Sequence, residues 1–159
     1  ALSYHQTSLS PAQAFQTLPA HPFAAISMWH VLEHVHRLHS YMERIDKLLK
    51  PSGKLFIAVP NYTSYDGMKY KENWAAYDVP RHLYHFSPVS MKYLLDANGF
   101  KLIREEPMWF DSFYISLLSE KYATGHSSLF KGFLTGAVSN LKALTHKEQC
   151  SSLIYVAGK

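Results

Sequence analysis

A chain of 159 residues is the size of one domain and can bury a substantial core. With 47% apolar and 18% charged residues it suits a folded protein in water, and it has neither a run long enough to span a membrane nor a signal-peptide layout. The one cysteine, Cys150, excludes an internal disulfide and fits a reducing, cytoplasmic setting, while the net charge of +4 is too scattered to call for nucleic acid.

Residues 1–22 lack periodicity and read as a loop with one short helical turn at Pro11–Phe15. Phe23-Ala-Ala-Ile-Ser-Met-Trp29 has the pattern of a strand buried on both faces. From Val31 to Leu49 apolar residues recur three or four apart, which predicts a helix, and the spacing of Ser40 and Glu43 suits a capping box at its main start. Pro51-Ser-Gly53 predicts its stop, and Lys54–Pro60 a second buried strand, parallel to the first because a helix joins them. Ser87 and Pro88 open a further helix that Asn98-Gly99 ends, and Phe100–Glu106 reads as a third strand. Two helical stretches, Phe113–Tyr122 and Leu129–Leu144, precede a fourth strand, Ser151–Ala157, expected at the C-terminal edge.

Three motifs carry a resemblance. Phe23 to Val35, with Leu32-Glu-His-Val35 after the strand, is similar to the strand-four signature of class I S-adenosylmethionine-dependent methyltransferases. Leu48-Leu-Lys-Pro-Ser-Gly-Lys-Leu-Phe-Ile57 resembles the family's turn into strand five. Asp78-Val-Pro-Arg-His-Leu-Tyr-His-Phe86 is similar to a bacterial branch related to the ubiquinone-pathway O-methyltransferases. The resemblance implies an α/β fold: the later half of a Rossmann-like sheet, with parallel strands, an antiparallel C-terminal edge and a helical insertion before the last strand. Residues 1–159 are then one N-terminally truncated domain, divided into a core at 23–106, an insertion at 107–150 and a last strand at 151–159. There are departures. Ala24 stands where the family has aspartate, Ser52 replaces a turn glycine, and the first glycine of the chain is Gly53. A cofactor loop needs glycine for close backbone approach, so the chain alone is expected to be inactive.

The resemblance implies S-adenosylmethionine as cofactor, with Met28, Trp29 and His30 facing its methionine end and Ser8 and Leu9 its adenine. His30, Glu33 and His34 share one face of a helical turn, and such residues suit a divalent ion, with His85, or His82 in its place, completing the set. His30, His34 and His85 are the candidate catalytic groups. The connection from Asn61 to Phe86 is long and aromatic, fit to close over a small-molecule methyl acceptor, with Asn61, Tyr62, Tyr65, Asp78 and Arg81 as binding candidates. O-methyl transfer is the expected reaction.

His30-Val-Leu-Glu-His34 also spells the motif of inverted zinc peptidases, which requires a long helix. A non-catalytic methyltransferase-like binding module is the other alternative. The apolar surplus of residues 107–150 suits a lid, a homodimer face or a surface-bound helix pair, with self-association favoured, and Gly132-x-x-x-Gly136 permits close helix contact.

Overall fold

A computed structural model describes residues 23–126 and 128–159. The turn expected at Pro11–Phe15 and the adenine-contact pair Ser8 and Leu9 lie outside these residues. Strand β1 (Phe23–Trp29) pairs in parallel with β2 (Leu49–Pro60), and helix α1 (Leu38–Leu48) makes the crossover between them. Expected to be buried on both faces, β1 buries only Met28. It is an edge of the sheet among the described residues, and Ala24, Ala25, Ser27 and Trp29 are exposed.

The apolar stripe of α1 turns Met42, Ile45 and Leu48 into the core. The chain reaches it through a 3₁₀ turn at Leu32–His34 and an extended Val35, so the helix starts at Leu38 and Ser40 lies inside its first turn rather than capping it. Pro51–Gly53 does not separate helix from strand either. These residues form the irregular start of β2, where the pairing with β1 shifts register, and a Cβ at Gly53 would lie 2.7 Å from Leu49 Cγ.

The last strand, β4 (Ser152–Gly158), is antiparallel as expected but is not at the edge. The order is β1-β2-β4-β3, with β3 spanning Lys101–Pro107. Its burial explains the position. Leu153, Tyr155, Val156 and Ala157 are all buried, and a strand apolar on both faces is satisfied only between neighbours. Leu55, Ile57 and Val59 of β2 pack with α1 and with α3 (Pro88–Ala97) in one main core. The start of α3 follows the sequence signal closely: the Ser87 side chain accepts the Ser90 N–H, Ser90 reciprocates, and Pro88 stands in the first turn.

The connection expected to be an irregular aromatic loop contains α2 (Tyr65–Tyr70) and 3₁₀ turns at Lys71–Asn73 and Ala75–Tyr77. Over it lie the insertion helices α4 (Trp109–Thr124) and α5 (Leu129–Ala143). They form an antiparallel hairpin: Gly132 meets Leu117, Gly136 meets Phe113, and Asn140 Nδ2 donates to the Trp109 carbonyl at 2.8 Å. The hairpin is tied down by polar groups. Ser119 Oγ accepts the Ala75 N–H at 2.8 Å, Tyr70 donates to Glu120 at 3.1 Å, and Ser139 donates to Asp66, which also accepts from Trp74.

A Cβ at Gly136 would come within 2.8 Å of Phe113 Cα and of the Ser112 carbonyl, backbone that cannot step aside. Gly136→Val is therefore expected to cost about 1–3 kcal/mol or more, as a lowered midpoint of urea unfolding.

Candidate functional site

The carboxyl ends of β1 and β2 meet the loop that precedes α3. His30 follows β1 directly with a left-handed φ of 52°, held there as its N–H donates to the Ala58 carbonyl at 2.9 Å. A β-carbon in that region costs on the order of 1 kcal/mol, and such residues concentrate at functional sites. The next turn is stitched to the later loop: Leu83 N–H donates to the Glu33 carbonyl at 2.8 Å, and His34 Nδ1 donates to the Arg81 carbonyl at 2.9 Å. Helix α4 faces this rim and encloses a cleft of about 230 Å³, with His30, Pro60, Asp78, Arg81 and His82 on one wall and Asp111, Tyr114, Leu118 and Tyr122 on the other.

His30 bridges two carboxylates, its Nδ1 at 3.2 Å from Glu33 and its Nε2 at 3.2 Å from Asp111, the latter an ion-pair distance without the direction of a hydrogen bond. Asp111 first and Glu33 second push its pKa up to about 10, against the opposing effect of burial. The shift favours the imidazolium at neutral pH, and both ring nitrogens are turned to carboxylates. His82 behaves oppositely. Burial lowers its pKa, and because its Nδ1 is 2.8 Å from the Ala76 carbonyl, which can only accept, the ring's free lone pair is on Nε2. That atom faces Glu33 at 4.0 Å and Asp78 at 3.8 Å.

The metal set expected from sequence is rearranged. Glu33, His34 and His82 offer ligand atoms that all lie within 4.8 Å of one another. His30 is instead committed to its carboxylates, and His85 turns away, donating from Nε2 to the Tyr77 carbonyl at 2.9 Å. The imidazoles of His34 and His82 each have one nitrogen anchored to a carbonyl, the support that metal-binding histidines usually have, and the buried Glu33 Oε2 has no hydrogen-bond partner. The donors fit a divalent ion.

Among the acceptor-site candidates, Asp78 and Arg81 line the cleft and pair with each other at 2.6 Å. Asn61 does not reach it. Buried, it spans backbone, donating to the Glu148 and Cys150 carbonyls and accepting from Thr63. Tyr65 lies under Lys142 of α5, and Tyr62 is on the surface outside the cleft. Met28 is in the main core, whereas Trp29 is 51% exposed at the end of β1. The sequence reading missed Asp111. Its signal was present: it is the one charged residue in Met108–Leu118, a stretch that otherwise reads as apolar helix. His30 precedes, and His34 ends, a three-residue 3₁₀ turn after a strand, so the two do not lie along a helix, which removes the zinc-peptidase reading.

A family model described as a methyltransferase domain matches residues 3–105. The chain belongs to this family. No curated protein matches the sequence. Among solved structures, the methyltransferase domain is similar to an S-adenosylmethionine-dependent methyltransferase from Archaeoglobus fulgidus (18% identity, TM-score 0.56, 96% of this chain and 66% of that one). It is also similar to the Burkholderia thailandensis 1,6-didemethyltoxoflavin-N1-methyltransferase, solved with bound 1,6-didemethyltoxoflavin and S-adenosylhomocysteine (16%, 0.50, 92% and 48%). A third is the [4+2]-cyclase SpnF (16%, 0.55, 90% and 52%). At such identities the likeness establishes the Rossmann-like fold, and the cyclase illustrates that this fold hosts more than one reaction. The chain spans between 48% and 66% of the length of these three structures.

Because the folded pKa of His30 is raised, its pairing stabilises the domain fully below pH 6.5, and that contribution fades as pH rises toward about 10. In an NMR titration the His30 imidazolium is expected to persist past neutrality, and Asp111→Asn to bring its transition down toward the ordinary histidine range.

Proposed function

We propose that this domain takes part in S-adenosylmethionine-dependent methyl transfer to a hydroxyl group of a small molecule. The observation that carries the reading is the cleft at the carboxyl ends of the strands, where this architecture binds its ligands, with Tyr114 and Tyr122 on one wall and the polar groups His30, Asp78, Arg81, His82 and Asp111 converging on it. Exposed Trp29 and left-handed His30 stand at the end of β1, where they suit the methionine end of the cofactor. One imidazolium between two carboxylates leaves this part of the cleft net negative, which favours a cationic sulfonium. The cofactor, when bound, supplies an electrophilic methyl group. The chain's own contribution is to orient the acceptor between Tyr114 and the Asp78–Arg81 pair and to accept its proton at His82 Nε2. His82 lines the cleft, whereas the candidate catalytic groups His34 and His85 do not, so His82 is the one placed to take the proton.

A second reading is favoured by the Glu33–His34–His82 cluster and its unpartnered carboxylate oxygen. A Mg, Mn or Zn ion held there would lower the pKa of an acceptor hydroxyl. Metal analysis of untagged protein separates the two: bound ion lost in Glu33→Gln supports the second, and its absence, with no thermal shift on adding the ions, leaves His82 as the base.

Calorimetry with S-adenosylhomocysteine tests the assignment. Micromolar binding at the rim is the expected result, and no binding would overturn the placing of the cofactor's methionine end beside Trp29 and His30 in this chain. With a competent acceptor, His82→Gln is expected to lower turnover by about 10²–10⁴-fold with cofactor affinity unchanged. Because burial holds His82 neutral, activity should rise through mildly acidic pH to a plateau near neutrality.

A further inference from the structure

The α4–α5 hairpin is built inside out. Its inner seam is small and polar, with Ser112, Ser116 and Ser119 on α4 against Gly132, Thr135, Gly136 and Ser139 on α5, all buried. Ile115 is buried and Phe113 stacks on Phe133 between the helices, but most of the other large apolar residues point away from the protein. Phe110 is 88% exposed and Phe130 78%, and Phe133, Leu134, Leu141 and Leu144 are exposed with them. On α5 the residues 130, 134, 137, 141 and 144 make a continuous stripe opposite the seam. Trp109 and Phe113 add to it across a shallow groove between the helices. In water the stripe would turn inward. Small residues at the helix contact and large apolar ones outside is the partition adopted by helix pairs whose surroundings are lipid.

Charge says what covers this face. Between residues 109 and 146 the only carboxylates are Asp111 and Glu120. The first is paired with His30 and the second is buried against Tyr70. The exposed charges are Lys121, Lys131 and Lys142, all positive. A second copy packed on this face would bring no free carboxylate from its own hairpin to these lysines, of which Lys142 borders the face over the Tyr65 ring, whereas an anionic surface complements them. At 16 and 15 residues the helices reach about 24 Å and about 22 Å, short of the roughly 30 Å of a hydrocarbon core. No helix among the described residues is long and apolar enough to cross a membrane.

We propose that the α4–α5 hairpin docks in the interfacial layer of an anionic lipid bilayer, its outward phenylalanines and leucines in the acyl boundary and its lysines among the lipid phosphates. The sequence-based expectation of no membrane partner is thereby revised to an interfacial one. The proposal stands independently of the methyl-acceptor assignment, since it uses the face of the hairpin that the cleft does not.

Flotation of the chain with vesicles tests it, using phosphatidylcholine alone and phosphatidylcholine with phosphatidylglycerol. The expected result is binding to the anionic vesicles that weakens with added salt and falls by about tenfold or more in two variants, Phe110→Ser/Phe130→Ser/Leu134→Ser and Lys131→Glu/Lys142→Glu. Both variants alter exposed positions, and unchanged thermal melts would show that the fold survives. Absence of binding to anionic vesicles overturns the proposal, as does binding that neither variant weakens. A concentration-dependent dimer abolished by the serine variant, with no vesicle binding, would assign the face to a second copy instead.

Discussion

The Glu33 carboxylate is 1% exposed, and an ionised group so placed has to be compensated where it stands. The rim of the cleft is arranged around that requirement. His30 adopts a left-handed backbone and places its ring against one oxygen, supplying the opposing charge. The Glu33 backbone carbonyl anchors Leu83 and Tyr84, so the same residue also fixes the loop that carries His82. Asp111 extends the chain of charges onto α4 and makes the insertion helix part of the same site.

The hairpin consequently has two faces with different work. Its inner face holds the 64–77 segment through serine, threonine and carboxylate contacts, and the Tyr70 hydroxyl, its pKa pushed up to about 12 by burial, stays protonated as a donor to Glu120. Hydrogen bonds between polar groups each add only about 1 kcal/mol but are costly to leave unmade, so this attachment is specific in geometry without being strong. Tyr114 and Tyr122 lie where the cleft wall gives way to the exposed surface of α4.

Much of the fold was legible because local signals coincided with tertiary ones. The Ser87–Pro88 helix start, the parallel pairing of β1 with β2, and the two insertion helices all follow from capping chemistry, periodicity and connection rules. The place of β4 was misjudged although its near-continuous apolar run already favoured a central strand. The site was less legible, since periodicity puts residues on a face but does not say which partner captures each. Spacing grouped His30 with His34, yet Asp111, far along the chain, claims the His30 ring. His82 and His85 are equivalent in sequence, and the carbonyls of Ala76 and Tyr77 decide which of them looks into the cluster. Asn61 was selected for its polarity at a strand end, and that polarity is spent on backbone groups near Cys150.

Cys150 lies at the junction of these parts, with no exposed surface, 3.4 Å from the Ser112 hydroxyl of α4 and close to the Met108 carbonyl at the end of β3. Burial raises its thiol pKa and keeps it from reacting while the hairpin is seated. The chain's one sulfhydryl is therefore sequestered for as long as α4 stays packed over it. Its alkylation under native conditions requires either that α4 lift from the sheet or that the domain unfold.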